Sequence, residues 1–237
     1  MQFLVFQLQA PLASWGDTAV GEYRGSHEYP GESALLGLLA AALGLRRDDE
    51  AAHAALRDGC AFAVGVVSGG GLLRDYHTAQ VPGRTAMKGR PHATRRDELA
   101  VPKETLNTIL STRDYRQDVA YVIVVQPKKA AITSLDALAA ALRRPRFVLY
   151  LGRKSCPPAA PLDPLVLDAP SAREAIGVYL GRREWPVRLA RMAWGDGIDV
   201  PGELAHLSAP RKDRMIRRRS WQFGDRTEHV ALLAEGE

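Results

Sequence analysis

The sequence predicts an α+β fold, and three observations carry that prediction. Residues 1–155 hold two successive strand–helix–strand runs, each built from short apolar segments around an alanine- and leucine-rich stretch. The helical stretches have stop signals and capping residues where helices need them. A long basic segment, residues 72–118, separates the two runs. Strand, helix, strand, strand, helix, strand is the ferredoxin-like βαββαβ order. A smaller, strand-rich region is expected over 156–237, beyond a boundary marked by Pro157, Pro158, Pro161 and Pro164.

Each element has its own justification. "QFLVFQLQ" (2–9) reads as the first strand. "ESALLGLLAAALGL" (32–45) reads as a helix introduced by Pro30-Gly31 and stopped near Gly44. Leu35, Leu36, Leu38, Leu39 and Leu43 wrap most of its circumference, so burial is expected on nearly all sides. "DDEAAHAALRDG" adds a short helix with an Asp cap, and "CAFAVGVV" (60–67) is a second strand ending at the turn Gly69-Gly70-Gly71. "LLRDYHTAQV" and "ETLNTILSTRDY" are expected to form an extended hairpin. Between them Arg84, Lys88, Arg90, Arg95 and Arg96 all precede the first acid, Asp97. "VAYVIVVQP" (119–127) is the clearest buried strand, "TSLDALAAALRRP" (133–145) a capped helix stopped by proline, and "RFVLYL" (146–151) the next strand. Farther on, a short helix, "SAREAIGVYL", and strands with turns at "WGDGID" and "WQFGDR" lead to an acidic tail.

With 237 residues, 46% hydrophobic and 25% charged, the composition is that of a soluble globular protein. The formal charge of +5 and a pI near 9.4 lean basic, so the placement of charge has to decide what it means. The N-terminus is not read as a secretory signal, because its first cation is Arg24 and Gln7 and Gln9 interrupt the apolar run. No segment approaches the roughly 20 apolar residues that span a bilayer, and no membrane partner is expected. Cys60 and Cys156, far apart, suit a reduced compartment, and a cytoplasmic location is expected.

Several chemistries can be set aside on spacing. "GRKS" is not a phosphate loop: Arg153 separates Gly152 from Lys154, and the position five before that glycine is Phe147. The six histidines show no metal-ligand spacing, so no metal or cofactor is expected. His77 stands out, because Arg74, Asp75 and Tyr76 precede it. That group could cleave RNA without a metal, with His as base and Arg as oxyanion stabiliser; it could equally hold a hairpin together or grip a phosphate. The aromatic signature of a base-stacking RNA-recognition sheet is absent, and strands 2–9 and 119–126 are too apolar to expose such a face. Three cationic groups remain: the 84–96 arm, Arg143 to Lys154, and "RKDRMIRRR" (211–219). With Tyr76, Tyr115, Tyr150 and Trp221 nearby, they suit a surface that tracks a nucleic-acid backbone and stacks bases. Trp185 and Trp194 have a core role as their alternative.

"PLASWG" (11–16), "SALLGLLAAALGLRRDD" (33–49), "LRDYHT" (73–78), "ETLNTILSTRDY" and "YLGRKSC" (150–156) together resemble the CasD family of type I-E CRISPR Cascade complexes. That family lies within the repeat-associated mysterious protein superfamily. The motifs run in the family's order over residues 1–156, and "RRRSWQF" adds a looser likeness. The resemblance implies a ferredoxin-like domain with a β-hairpin thumb, and a non-catalytic role. The subunit would cap the 5′ handle of the crRNA and join other Cascade subunits, the backbone CasC and the large CasA, with no small-molecule substrate. It places Arg113 and Tyr150 against the handle, with Arg153, Lys154, Gly37, Arg74, Tyr76, His77, Lys88 and Trp15 as further RNA-binding candidates. Where the family motif reads Gly-Arg-Arg, this chain has Gly152-Arg153-Lys154, which keeps the charge and loses one bidentate fork. Gly37 and Gly31 would let RNA approach the backbone, with close helix–sheet packing as the alternative for Gly37, and the helix N-terminus would favour a phosphate. In type I-C systems the corresponding subunit processes crRNA itself, so a metal-independent endoribonuclease is the alternative expectation.

Overall fold

The computed structural model describes residues 1–17, 19, 21–91, 93–129, 133–182, 188–200 and 204–233. The first strand, β1 (Gln2–Ala13), alternates its side chains between two cores: Leu4, Phe6 and Leu8 enter one, Phe3 and Val5 the other. Successive strand residues point to opposite faces, so an unbroken apolar run is what a strand covered on both sides needs. Short strands β2 (Trp15–Gly16), β3 (Tyr23–Arg24) and β4 (Ser26–His27) follow, with β2 and β4 paired. Helix α1 (Glu32–Leu43) ends at Gly44 in the left-handed conformation, and α2 (Glu50–Gly59) is capped by the Asp49 carboxylate, which accepts from the Ala52 N–H. Strand β5 (Cys60–Ser68) then leads into β6 (Gly71–Pro82), and the short helix α3 (Arg95–Leu99) stands between β6 and β7 (Leu106–Pro127).

The remaining elements are α4 (Leu135–Arg143), β8 (Leu165–Asp168), α5 (Ala172–Arg182), β9 (Arg191–Gly195), β10 (Leu207–Arg217) and β11 (Gln222–Leu232). Among the described residues one large sheet runs β10-β11-β9-β5-β7-β1-β8, with β6 and β3 also paired to β7. The pairs β1–β7, β5–β7, β1–β8 and β5–β9 are all antiparallel. Strand β5 therefore lies parallel to β1 with β7 between them, and β8 parallel to β7 with β1 between them. Helices α1 and α4 pack on one face with Leu36, Leu39, Leu138 and Leu142, while α5 covers the other with Ile176 and Tyr179. Strands from both sides of residue 156 share this sheet. Trp194 is buried in the second core; Trp185 and the acidic end of the chain lie outside the described residues.

Two sequence expectations change. Residues 146–151, expected to be a strand, are irregular, and β8 takes the place beside β1 instead. The N–H groups of Arg146 and Phe147 donate to the carbonyls of Ala42 and Ala41 at the end of α1, which takes them out of any ladder. Phe147 and Val148 are exposed, while Leu149 and Leu151 anchor the segment in the core. The strands expected at 104–115 and 119–127 are one continuous strand, β7, of 22 residues. Asp118, where its two halves meet, has a φ of 56°, and its first half pairs with β6 from Gly71↔Gln117 to Pro82↔Leu106. That hairpin is the thumb, and most of β6 is exposed on both faces. No helix among the described residues is long and apolar enough to cross a membrane. Cys60 and Cys156 are free and buried, and burial pushes the Cys60 thiol up to about 11.

Candidate nucleic-acid interface

The loop "YLGRKSC" docks tightly on the end of β1. Ser14 N–H donates to the Leu151 carbonyl at 3.0 Å, and Leu151 N–H donates to the Cys156 carbonyl at 2.7 Å. Gly152 makes this possible: its φ is +85°, and any Cβ there would run into the Ser14 carbonyl. From this turn Arg153 reaches the base of the thumb. Its guanidinium lies 4.5 Å over the Tyr115 ring, Nη2 donates to the Arg24 carbonyl at 3.2 Å, and Nη1 is buried without a hydrogen-bond partner among the described residues. Lys154 is exposed and Cys156 is fully buried.

Register decides which thumb side chains share a face. Tyr115 stands opposite Leu73, Arg113 opposite Asp75, and Ser111 opposite His77; Arg24 of β3 is the other neighbour of Arg113. One face of the thumb base therefore collects Asp75, His77, Arg113, Tyr115 and the incoming Arg153. Among the described residues the Arg113 guanidinium makes no ion pair. The other face carries Arg74 and Tyr76 opposite Asp114 and Thr112. "RDYHT" is thus divided between two faces, and the Arg-Tyr-His group considered from sequence is not brought together. Arg74 is committed: Nε and Nη2 donate to the buried Asp114 carboxylate at 2.9 and 3.1 Å, and Tyr23 donates to the same carboxylate at 2.6 Å. Hydrogen bonds from Arg74 hold the Asp114 carboxyl below the usual carboxylate range, and the bond to Asp114 raises the Tyr23 phenol. Tyr76 is exposed, with 68% of its surface accessible.

The thumb tip is only partly available. Arg95 pairs with Glu98 at 2.7 Å and donates to the Gln80 carbonyl, and Arg90 donates to the Ala100 carbonyl. Lys88 is exposed and lines an open hollow with Pro82, Arg84, Thr85 and Met87.

Three further expectations change. Trp15 is buried (3% exposed), its indole N–H donates to the Tyr121 hydroxyl at 3.1 Å, and the two rings meet edge to face; it has no face left for a base. The N-terminus of α1 is already filled by an anion, the Asp213 carboxylate, which accepts from Glu32 N–H at 2.8 Å. The missing Cβ of Gly31 makes room for that carboxylate, not for RNA. Gly37 is not a packing glycine: a Cβ there would meet only Arg218 Nη2, at 3.9 Å. Tyr150 is 40% exposed and lies within electrostatic reach of the same Arg218.

Sequence alone groups residues 211–219 by charge and does not say which of them face solvent. Arg211 and Arg226 are buried against Asp213 and Glu228, an internal network. Arg47 and Arg218 instead lie over Trp221. The paired acids two residues away on β10 and β11 are the signal that a sequence offers for this division. Among the described residues no group of three His, Cys, Asp or Glu side chains could hold a metal ion. A hydrogen-bonded chain, Ser208 Oγ to His229 Nδ1 at 2.8 Å and His229 Nε2 to Asp196 at 2.9 Å, links β10, β11 and the turn after β9, away from the thumb.

Comparison with known proteins places relatives beside this geometry. The family described as CRISPR-associated protein (Cas_Cas5) matches residues 3–227. The CRISPR system Cascade subunit CasD of Escherichia coli (strain K12) is 32% identical over 169 residues, covering 68% of this chain and 69% of that protein. A chain of a solved CRISPR RNA-guided surveillance complex superposes with a TM-score of 0.65 at 25% identity, over 98% of this chain and 89% of that one. A solved Cas protein gives 0.62 at 26% identity, over 98% and 94%.

Proposed function

The chain belongs to the CRISPR-associated protein (Cas_Cas5) family, and from that premise we propose that it is a non-catalytic, RNA-binding subunit of a Cascade surveillance complex. In this reading it caps the 5′ handle of the crRNA, in the cytoplasm, and joins backbone and large subunits related to CasC and CasA. The sheet order β5-β7-β1-β8, with its two interleaved strand–helix–strand units, supports a ferredoxin-like core from which the thumb projects.

The observation that carries the reading is the column at the thumb base. Arg113 has no ion pair among the described residues, and Arg153 is stacked on Tyr115 beside it. The unpaired Arg113 guanidinium can offer its N–H groups to phosphate oxygens, and a single-stranded handle supplies phosphates and unstacked bases together. Tyr150, partly exposed in the same loop, lies within electrostatic reach of Arg218, so one tight turn carries a cation at the thumb base and an accessible phenol. The division of "RDYHT" between two faces separates His77 from the Arg74 that the endoribonuclease reading pairs with it.

Co-purification tests it. The chain with its partner subunits should retain a small RNA with a uniform 5′ end, and Arg113→Ala or Tyr150→Ala should reduce that RNA without unfolding the protein. If about four phosphates are neutralised, log affinity should fall with log salt at a slope on the order of −3. Full retention by both variants would remove the site assignment. Specific cleavage of precursor crRNA by the chain alone in EDTA would replace the non-catalytic reading with the enzyme.

A further inference from the structure

Beyond the thumb-base column, the turn between β10 and β11 carries a second cationic group. Trp221 sits there with a φ of 54° and 51% of its surface exposed. Two guanidinium groups lie over its indole, Arg218 at 4.1 Å and Arg47 at 4.6 Å from the ring centroid. Hydrogen bonds fix this arrangement from both sides. Arg47 Nη2 donates to the Arg219 carbonyl at 3.1 Å, and the backbone N–H groups of Arg218 and Arg219 donate to the Glu50 carboxylate. The segment between α1 and α2 and the hairpin tip are thereby tied together.

The electrostatics of this group are unbalanced. Other semi-buried arginines nearby have acids: Arg57 has Asp58, and Arg211 and Arg226 have Asp213 and Glu228. Among the described residues no carboxylate pairs with the guanidinium of Arg47 or of Arg218. The Glu50 carboxylate, the acid closest in the hydrogen-bond pattern, is occupied by backbone N–H groups, which hold its carboxyl below the usual range. Burial, and then the neighbouring Arg47 charge, lower the Arg218 pKa. Two like charges held together on one aromatic ring are eased by the ring's negative face, and more fully by an anion that both can grip.

We propose that Arg47, Arg218 and Trp221 form a phosphodiester-binding site for single-stranded RNA, continuing the path of the bound strand from Tyr150 past Gly37. The proposal rests on the RNA-binding reading above. Contiguity argues for RNA over an acidic protein. Arg218 lies within electrostatic reach of Tyr150, and its Nη2 stands 3.9 Å from where a Gly37 Cβ would be, so the site adjoins the surface already assigned to the handle. A glycine with open space in front of it lets a sugar–phosphate chain pass close to α1.

The test uses the purified full chain and two fluorescent probes, the small RNA recovered from the complex and oligo-uridylate of equal length. Anisotropy titrations across a salt series compare wild type with Arg47→Ala/Arg218→Ala and with Trp221→Phe. The double variant should bind the recovered RNA about tenfold more weakly, with a salt slope shallower by about 0.7 for each phosphate no longer neutralised. Trp221→Phe should keep most of the affinity and lose the RNA-induced quenching of tryptophan fluorescence. Equal affinity and slope in wild type and double variant overturn the site, as does normal RNA affinity coupled to failed assembly with the other subunits, which would make it a protein-binding surface. Equal binding of both probes by wild type overturns the handle assignment alone, leaving the variant comparison to decide this site. A wild type that binds neither probe overturns both.

Discussion

The two long hairpins, β6–β7 and β10–β11, both carry many arginines and use them in different ways. The thumb is exposed on both faces along most of β6, so it has no core of its own and is held by its ladder and by one buried carboxylate at its base. The C-terminal hairpin alternates: Arg211, Asp213 and Met215 are buried beneath α1, while Lys212, Arg214 and Ile216 face outward. An arginine whose guanidinium reaches a carboxylate becomes structure, as Arg74, Arg211 and Arg226 do. One that pairs with none among the described residues, such as Arg218 or Arg113, the latter even with Asp75 opposite it in the ladder, is left for a ligand. Neither the net charge of a segment nor strand register alone makes this distinction; the side-chain contacts do.

The C-terminal hairpin should give the greatest response to a single substitution. Asp213 accepts from the α1 N-terminus and from Arg226 and is ion-paired with Arg211, so Asp213→Ala leaves two buried cations under-neutralised and a helix end uncapped. Removing one partner of a buried ionic group costs about 3–5 kcal/mol. Urea denaturation should show a loss of that order. A loss below about 1 kcal/mol would mean that the network is not what fixes this hairpin.

Next comes the loop that serves the thumb. Gly152→Ala puts a Cβ in a left-handed backbone position and against the Ser14 carbonyl. Strain of this kind costs about 2–3 kcal/mol. Because the same turn aims Arg153 and Tyr150, RNA retention should fall with stability. Gly16→Ala, where a Cβ meets nothing within 4 Å, is the control and should be nearly silent. Retention unchanged in Gly152→Ala would separate the loop from RNA binding.

These residues also mark what can be read from the sequence. The apolar runs of β1, β5 and the second half of β7 are legible because strands covered on both faces have a composition nothing else in the chain shares. The thumb is legible as two strands flanking a basic segment, and Gly44 and the Ser134 and Asp49 caps as helix punctuation. Residues 146–151 are not, because their apolar run suits a strand while their N–H groups serve the end of α1, a partner about a hundred residues earlier in the chain. The motif around Trp15 groups it with surface residues, and only its bond to the Tyr121 hydroxyl places it inside. Arg113 and Tyr150 can be named from resemblance, but the stacking of Arg153 on Tyr115 depends on a turn whose geometry a sequence does not display.

The smallest effect probes the thumb's one internal ion pair among the described residues of its two strands. Arg74 is about half exposed (46%) while Asp114 is nearly fully buried (3%), so solvent screens one partner and not the other. Asp114→Asn should cost about 1 kcal/mol, well below the loss at Asp213. The pH dependence is more diagnostic than the size. Hydrogen bonds from Arg74, then from Tyr23, lower the Asp114 pKa in the folded state, so its stabilisation is complete above the ordinary carboxylate pKa of about 4 and is lost as pH falls through the lower, folded value. The stability gap between wild type and Asp114→Asn should therefore be constant near neutrality and close in acid. A gap that persists unchanged into acid would mean that Asp114 acts through shape alone. The thumb base would then be held by packing and its ladder, and its arginines would differ from those of the C-terminal hairpin in kind as well as in number.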